Sequence, residues 1–216
     1  MDKKIQKIAK IIFFFTILPS FSEKISFSAD SMSGRTGSKN DDTRLIGNAH
    51  VKTETMEISA EEITLSGENF RYILAEGRVE GVNSESELEF SCGKMKYDRK
   101  SKIAFLEEAV HLIDTKNDVT ADAQIIEYNQ ETDVAVMQIG VKIVQKDNVC
   151  TSAHAIYRKT EQTLDMSGNP KIVQGEDTFR AQEISLNLEN DEITLDGRVS
   201  GTVTDTKNDE EKEQEK

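Results

Sequence analysis

A small residue followed by an alternating β-branched run returns along this chain at near-constant intervals, at Gly47, Gly77, Ala109, Gly140, Gly168 and Gly197. The surrounding segments LIGNAHV, LAEGRVEGV, FLEEAVHLI, MQIGVKIV, MSGNPKIV and LDGRVSGTV share one form: apolar, polar, small, then alternating apolar. A period near thirty residues marks a repeat architecture, and a small residue inside a strand pattern marks a bend or bulge. About fifteen residues before most anchors comes a second motif, seen as FSADSM, ISAEEITL, FSCGKMKY, VTADAQIIEY, TSAHAIY and FRAQEISL. Its apolar residues alternate with period two and change parity part-way, as in Ile58 and Ala60 followed by Ile63 and Leu65. That pattern predicts a strand with a bulge that re-aims its side chains. Polar clusters such as Asp98-Arg99-Lys100-Ser101 and Asp114-Thr115-Lys116-Asn117-Asp118 separate the motifs and have hairpin-turn composition.

Six strand-turn-strand units follow from this pattern. One hairpin cannot bury its apolar face alone, so successive units must pair edge to edge. The expected fold is all-β: an elongated, twisted antiparallel sheet folded over on itself, with an interior that need not be tightly packed. After residue 23 no window holds apolar residues at helical spacing over three turns.

Three segments differ in composition. Residues 1–22 combine Lys3, Lys4, Lys7 and Lys10 with an apolar run from Ile11 to Leu18 and a break at Pro19-Ser20-Phe21-Ser22, which predicts a cleavable export signal. A membrane anchor is the alternative, although the run is shorter than the roughly 20 apolar residues a spanning helix needs. Residues 23–204 form the repeat domain, interrupted by a Gly/Ser/Asn/Asp-rich loop from Ser33 to Thr43. Residues 205–216 hold no apolar residue and predict a charged, disordered tail.

The full chain has a net charge of −13. Removal of residues 1–22 takes away four lysines and one aspartate and leaves −16. Such a chain excludes nucleic acid as a partner and is repelled by anionic head groups unless cations intervene. Cys92 and Cys150 fall in different units, so two buried thiols are expected rather than a bridge. A reactive Cys92 beside Lys94 and Lys96 is the weaker alternative.

No catalytic constellation is present in the sequence. His50, His111 and His154 are scattered without metal-ligand spacing, and Glu61-Glu62 and Glu107-Glu108 are strand neighbours that point to opposite faces. Neither a GxSxG elbow nor a phosphate loop occurs. The expectation is a protein without enzymatic activity, cofactor or metal. Its function would reside in inward apolar side chains: Ile58, Ile63, Leu65, Val79, Leu88, Phe90, Phe105, Leu112, Val136, Ile143, Ile184 and Leu195.

Units of the type ISAEEITLSGENFRYILAEGRVEGV and FRAQEISLNLENDEITLDGRVSGTV behind an export signal resemble the OstA-like or LptA family of lipopolysaccharide-transport proteins, over about residues 25–204. The resemblance implies a periplasmic β-jellyroll that holds lipopolysaccharide acyl chains in an apolar groove. It also implies end-to-end stacking through edge strands, as a homo-oligomer or between an inner-membrane transporter component and an outer-membrane assembly protein of the same fold. The strongly acidic mature chain departs from that picture and points to a less phosphorylated glycolipid or to bridging cations. A non-enzymatic structural or adhesive repeat protein of the cell envelope is the alternative.

Overall fold

The computed structural model describes residues 24–34 and 42–204. The segments expected to be an export signal and a charged tail, and most of the loop expected between Ser33 and Thr43, lie outside the described residues.

The strands run in chain order as β1 (Ser26–Ser28), β2 (Ser31–Gly34), β3 (Thr43–Lys52), β4 (Met56–Ser66), β5 (Tyr72–Asn83), β6 (Leu88–Asp98), β7 (Ile103–Asp114) and β8 (Val119–Asn129). They continue as β9 (Val134–Gln145), β10 (Asn148–Arg158), β11 (Thr163–Ser167), β12 (Lys171–Gln174), β13 (Asp177–Arg180), β14 (Glu183–Asn187), β15 (Ile193–Asp196) and β16 (Ser200–Thr202). All belong to one antiparallel sheet, and β3 to β11 neighbour one another in sequence order. A single 3₁₀ turn, Glu68–Phe70, is the only helical element among the described residues.

Sixteen strands reduce to twelve bent ones. β10 pairs with β11 through one arm and with β12 through the other. β1 and β2 likewise pair with the two arms of β3. The pairs β1/β2, β11/β12, β13/β14 and β15/β16 are therefore single strands broken at the bend, which gives the six hairpins expected from the repeat.

The bend has one cause throughout. At Gly47-Asn48, Gly77-Arg78, Glu108-Ala109, Ile139-Gly140, Gly168-Asn169 and Gly197-Arg198, two consecutive residues have positive φ. Between these residues and the opposing strand the ladder register slips. These bulges align across the sheet as a spine and divide it into two arms that fold over each other. Consecutive left-handed residues are costly except for glycine, which explains the small anchors.

In the third and fourth units, however, the residue equivalent to the leading glycine is Glu108 (φ 70) and Ile139 (φ 65), and the small anchors Ala109 and Gly140 come second in the bulge. In the third unit the glycine has moved to the facing strand. A Cβ on Gly77 would meet the Glu61 carboxyl carbon at 2.9 Å, whereas Glu108 faces Gly93, where a Cβ would stand 2.7 Å from the Glu108 Cβ. One member of each of these crowded pairs carries no side chain.

The bend also sets which residues face inward. In β4, β6 and β8 the buried set steps by three residues across it (Ala60 to Ile63, Cys92 to Met95, Ala123 to Ile126), so parity changes. In the anchor strands β5, β7 and β9 the step is four (Ala75 to Val79, Leu106 to Val110, Met137 to Val141), so parity is kept. The buried side chains form one apolar cluster running from Leu45 to Leu188.

Turns at the strand ends repeat one device. The side chains of Asn83, Asp98, Asp114, Asn129 and Asn187 each accept hydrogen bonds from backbone N–H groups two and three residues on. Asp98 also receives Arg71 Nε at 2.8 Å, and that guanidinium holds its carboxyl well below the usual carboxylate range. A depressed folded-state pKa contributes stability above the unfolded value near 4 and loses it as pH falls through the folded value. Asp98→Asn is therefore expected to lower the thermal midpoint at pH 7, with the difference from wild type narrowing as pH falls below the unfolded value near 4 towards the lower folded one; calorimetry across pH 2 to 7 measures this.

Candidate functional site

The two arms enclose the apolar cluster, and their turn tips meet on the side opposite the spine. This seam is polar. Lys159 Nζ lies 3.1 Å from Asp114 Oδ1, with side-chain exposures of 6% and 0%, and Tyr157 donates its hydroxyl to Asp114 Oδ2 at 2.7 Å. Asn117 Nδ2 adds a bond to the same oxygen at 2.8 Å. Burial and the adjacent Asp114 carboxylate push the Tyr157 phenol far above its ordinary value, so it remains a donor. Further along the seam Gln130 Nε2 donates to Glu85 at 2.7 Å and Asn148 Nδ2 to Asp191 at 2.9 Å. Each clasp joins a turn of one arm to a turn of the other.

Nine of the residues expected to point inward do so and are buried: Ile58, Ile63, Leu65, Val79, Leu88, Phe90, Leu112, Ile143 and Ile184. Leu195 is partly buried against the same cluster. Phe105 and Val136 do not join them. They stand half-exposed on the outer face of β7 and β9, with Ala104, Leu106, Ala135 and Met137 taking the inner positions. Pairing Phe105 with Leu112 requires a parity change across the bulge, and the anchor strands make none. Lys96 stands over the Phe105 ring at 5.6 Å.

The interior is also tighter than expected. Side chains such as Ile58, Ile63, Leu65, Ile73, Met95 and Ile126 have essentially no exposure, and Phe90 lays its ring in the space left free by Gly81, its cross-strand partner. Apart from Phe70 in the turn after β4, the partly buried apolar residues packed on the cluster lie at the two ends of the sheet, Ile25 and Ala29 at one and Phe179, Ala181, Ile193 and Leu195 at the other. Beyond these ends β1, β2, β15 and β16 each have one strand neighbour and leave one backbone edge unpaired among the described residues. Four of the eight large apolar side chains exposed among the described residues lie there, Phe27 and Met32 on the first edge and Val199 and Val203 by the last.

Both cysteines are free and buried. Burial pushes the Cys92 thiol up to about 11 and the Cys150 thiol up to about 12. Lys94 pairs with Glu76 and Lys96 with Glu107, and the Cys92 thiol donates to the Lys94 carbonyl at 3.2 Å. The reactive-thiol reading of Cys92 therefore fails. His50 and His111 line a hollow of about 350 Å³ on the outer face with Glu80, Glu89 and Ile113, and His111 Nδ1 lies 2.7 Å from Asp122.

A family model described as OstA-like protein matches residues 24–182, which is most of the chain and covers its first five units and the start of the sixth. The chain belongs to the OstA-like protein family. Among solved structures this OstA-like chain is similar to LptH, the LptA-homologous periplasmic component of the lipopolysaccharide transport device of Pseudomonas aeruginosa, at 10% sequence identity, with 85% of this chain and 97% of that one covered and a TM-score of 0.25. No curated protein matches the OstA-like chain.

Proposed function

We propose that this protein is a periplasmic, non-enzymatic bridge that carries lipopolysaccharide or a related glycolipid from inner to outer membrane, with its acyl chains between the two arms. The observation that carries this reading is a single apolar core spanning the sheet, flanked by partly buried apolar residues at both ends and bounded there by open strand edges. Edges of this kind add further strands by β-augmentation, which would set the interior of one domain against that of the next. Partners of the same fold, an inner-membrane transporter component and an outer-membrane assembly protein, would take the first and last positions, with copies of this chain between them.

Since the interior is filled, acyl chains enter only if the arms part. The spine is continuous and the seam is made of separate clasps, so the seam is the side that opens. A photo-crosslinking residue placed at Leu195 or Ile184 is expected to capture an acylated glycolipid in protein taken from its native envelope, and one at Phe105 or Val136 is not. Mass spectrometry of the adducts identifies the lipid. Equal capture at inner and outer positions, or none at any inner position, overturns the reading and leaves the structural or adhesive scaffold.

A further inference from the structure

The outer face of the arm that bears the turns after Lys52, Asn83, Asp114 and Gln145 is charge-polarised in a regular way. One cross-strand row reads, from β3 to β13, His50, Ser59, Glu80, Ser91, His111, Asp122, Lys142, Thr151, Lys171 and Arg180. Its first part holds two acids and no base beyond histidine. Its last part holds three bases and no acid. Lys171 lies directly opposite Arg180, a like-charge pairing that costs stability in a sheet. None of Glu80, Lys142, Lys171 and Arg180 forms an ion pair among the described residues. The neighbouring row runs Glu57, Val82, Glu89, Ile113, Thr120, Val144, Val149, Val173 and Thr178, apolar mainly over its second half, and Val82 is 47% exposed.

We infer that this face docks a second copy of the same chain through a two-fold axis parallel to the strands and between β8 and β9. Spacing carries the inference. Glu80 and Asp122 are three strands apart, and so are Lys142 and Arg180. A two-fold axis between β8 and β9 therefore sets Asp122 over Lys142 of the partner subunit and Glu80 over Arg180 of the partner subunit in one operation. It also brings Ile113 over Val149 and the Thr120 methyl group over Val144 near the centre of the contact, and Glu89 over Val173 towards its rim. The same surface meeting itself is what a two-fold interface requires. Sheets packed face to face lie about 10 Å apart, within reach of opposed long side chains. The basic half of a chain with net charge −13 attracts acidic surfaces, and the acidic half of this row has the matching register. The contact uses a sheet face and leaves the strand edges free, so it is independent of the stacking above.

Glu80, Asp122, Lys142 and Arg180 are all exposed, so reversing their charges leaves the fold intact, which circular dichroism checks. In sedimentation of the exported full chain at low ionic strength, wild type is expected to dimerise and to dissociate as salt is raised. The variants Glu80→Arg/Asp122→Lys and Lys142→Glu/Arg180→Glu are each expected to weaken self-association at least tenfold. Mixing the two variants is expected to restore dimers, because each supplies the charges the other lacks. A His111→Cys/Thr151→Cys variant is expected to be linked into dimers by a bifunctional thiol reagent whose reach is about the 10 Å spacing of packed sheets, since within one chain these positions are three strands, roughly 14 Å, apart and lie beyond it. Monomeric wild type, unchanged association in the single-sign variants, or a mixture that fails to associate would each overturn the proposal. Association of the cysteine variant that yields no cross-linked dimer marks edge stacking instead and overturns the face-to-face contact.

Discussion

Replacing Lys159 by methionine is expected to destabilise the protein by about 3–5 kcal/mol, because it leaves the fully buried Asp114 carboxylate without its cation. Methionine keeps most of the stem volume, so packing is conserved and the lost charge dominates. Tyr157 and Asn117 still donate to Asp114, but neutral donors do not replace a paired charge in a dry site. For a domain of this size the thermal midpoint should fall by on the order of 10 °C. The double variant Asp114→Asn/Lys159→Met is expected to recover much of the loss. Asparagine keeps its Oδ1 as acceptor for the turn N–H groups of Lys116 and Asn117, turns its Nδ2 toward the phenol oxygen as a donor, and buries no charge. Chemical denaturation of the three proteins measures the difference. Equal stability of wild type and the single variant would show that the ion pair contributes nothing.

The second large effect is expected at Gly93. Its Cβ in Gly93→Ala would stand 2.7 Å from the Glu108 Cβ, a side-chain root that cannot swing away, so a loss of about 1–3 kcal/mol is expected from forced backbone movement. Adding Glu108→Gly should return most of it. The double variant recreates the arrangement of the preceding unit, in which Glu61 faces Gly77, and it removes a non-glycine residue from φ 70. If the double variant is no more stable than Gly93→Ala, the exchange of glycine between strands is not what relieves the crowding.

These two sites show what the sequence made legible and where it stopped. The six units, the antiparallel order and the parity change in β4, β6 and β8 were readable because alternation of apolar residues records the pleat directly. The bulge position was readable only to within one residue. A search for small residues finds Ala109 and Gly140, whereas the backbone places Glu108 and Ile139 at the leading position, and the compensating glycine of the third unit is on the other strand at Gly93. Phe105 and Val136 were misplaced for a related reason: as large apolar residues they look like core, but the four-residue step through the anchor bulge keeps them outside. The seam gave no signal. Asp114, Asn117 and Lys159 belong to turn clusters whose composition satisfies any hairpin, and their meeting depends on how far one arm is staggered against the other.

That stagger has a consequence for how the molecule comes apart. A ladder of hairpins touching only adjacent hairpins would lose its repeats singly from either end. Here Glu85 reaches Gln130, Asn148 reaches Asp191 and Tyr157 reaches back to Asp114, spans of 45, 43 and 43 residues that step over the nearest repeat. Fraying at an end must therefore break a bond rooted deeper in the array, which couples the middle repeats into one melting block and leaves only the outermost strands free to open alone.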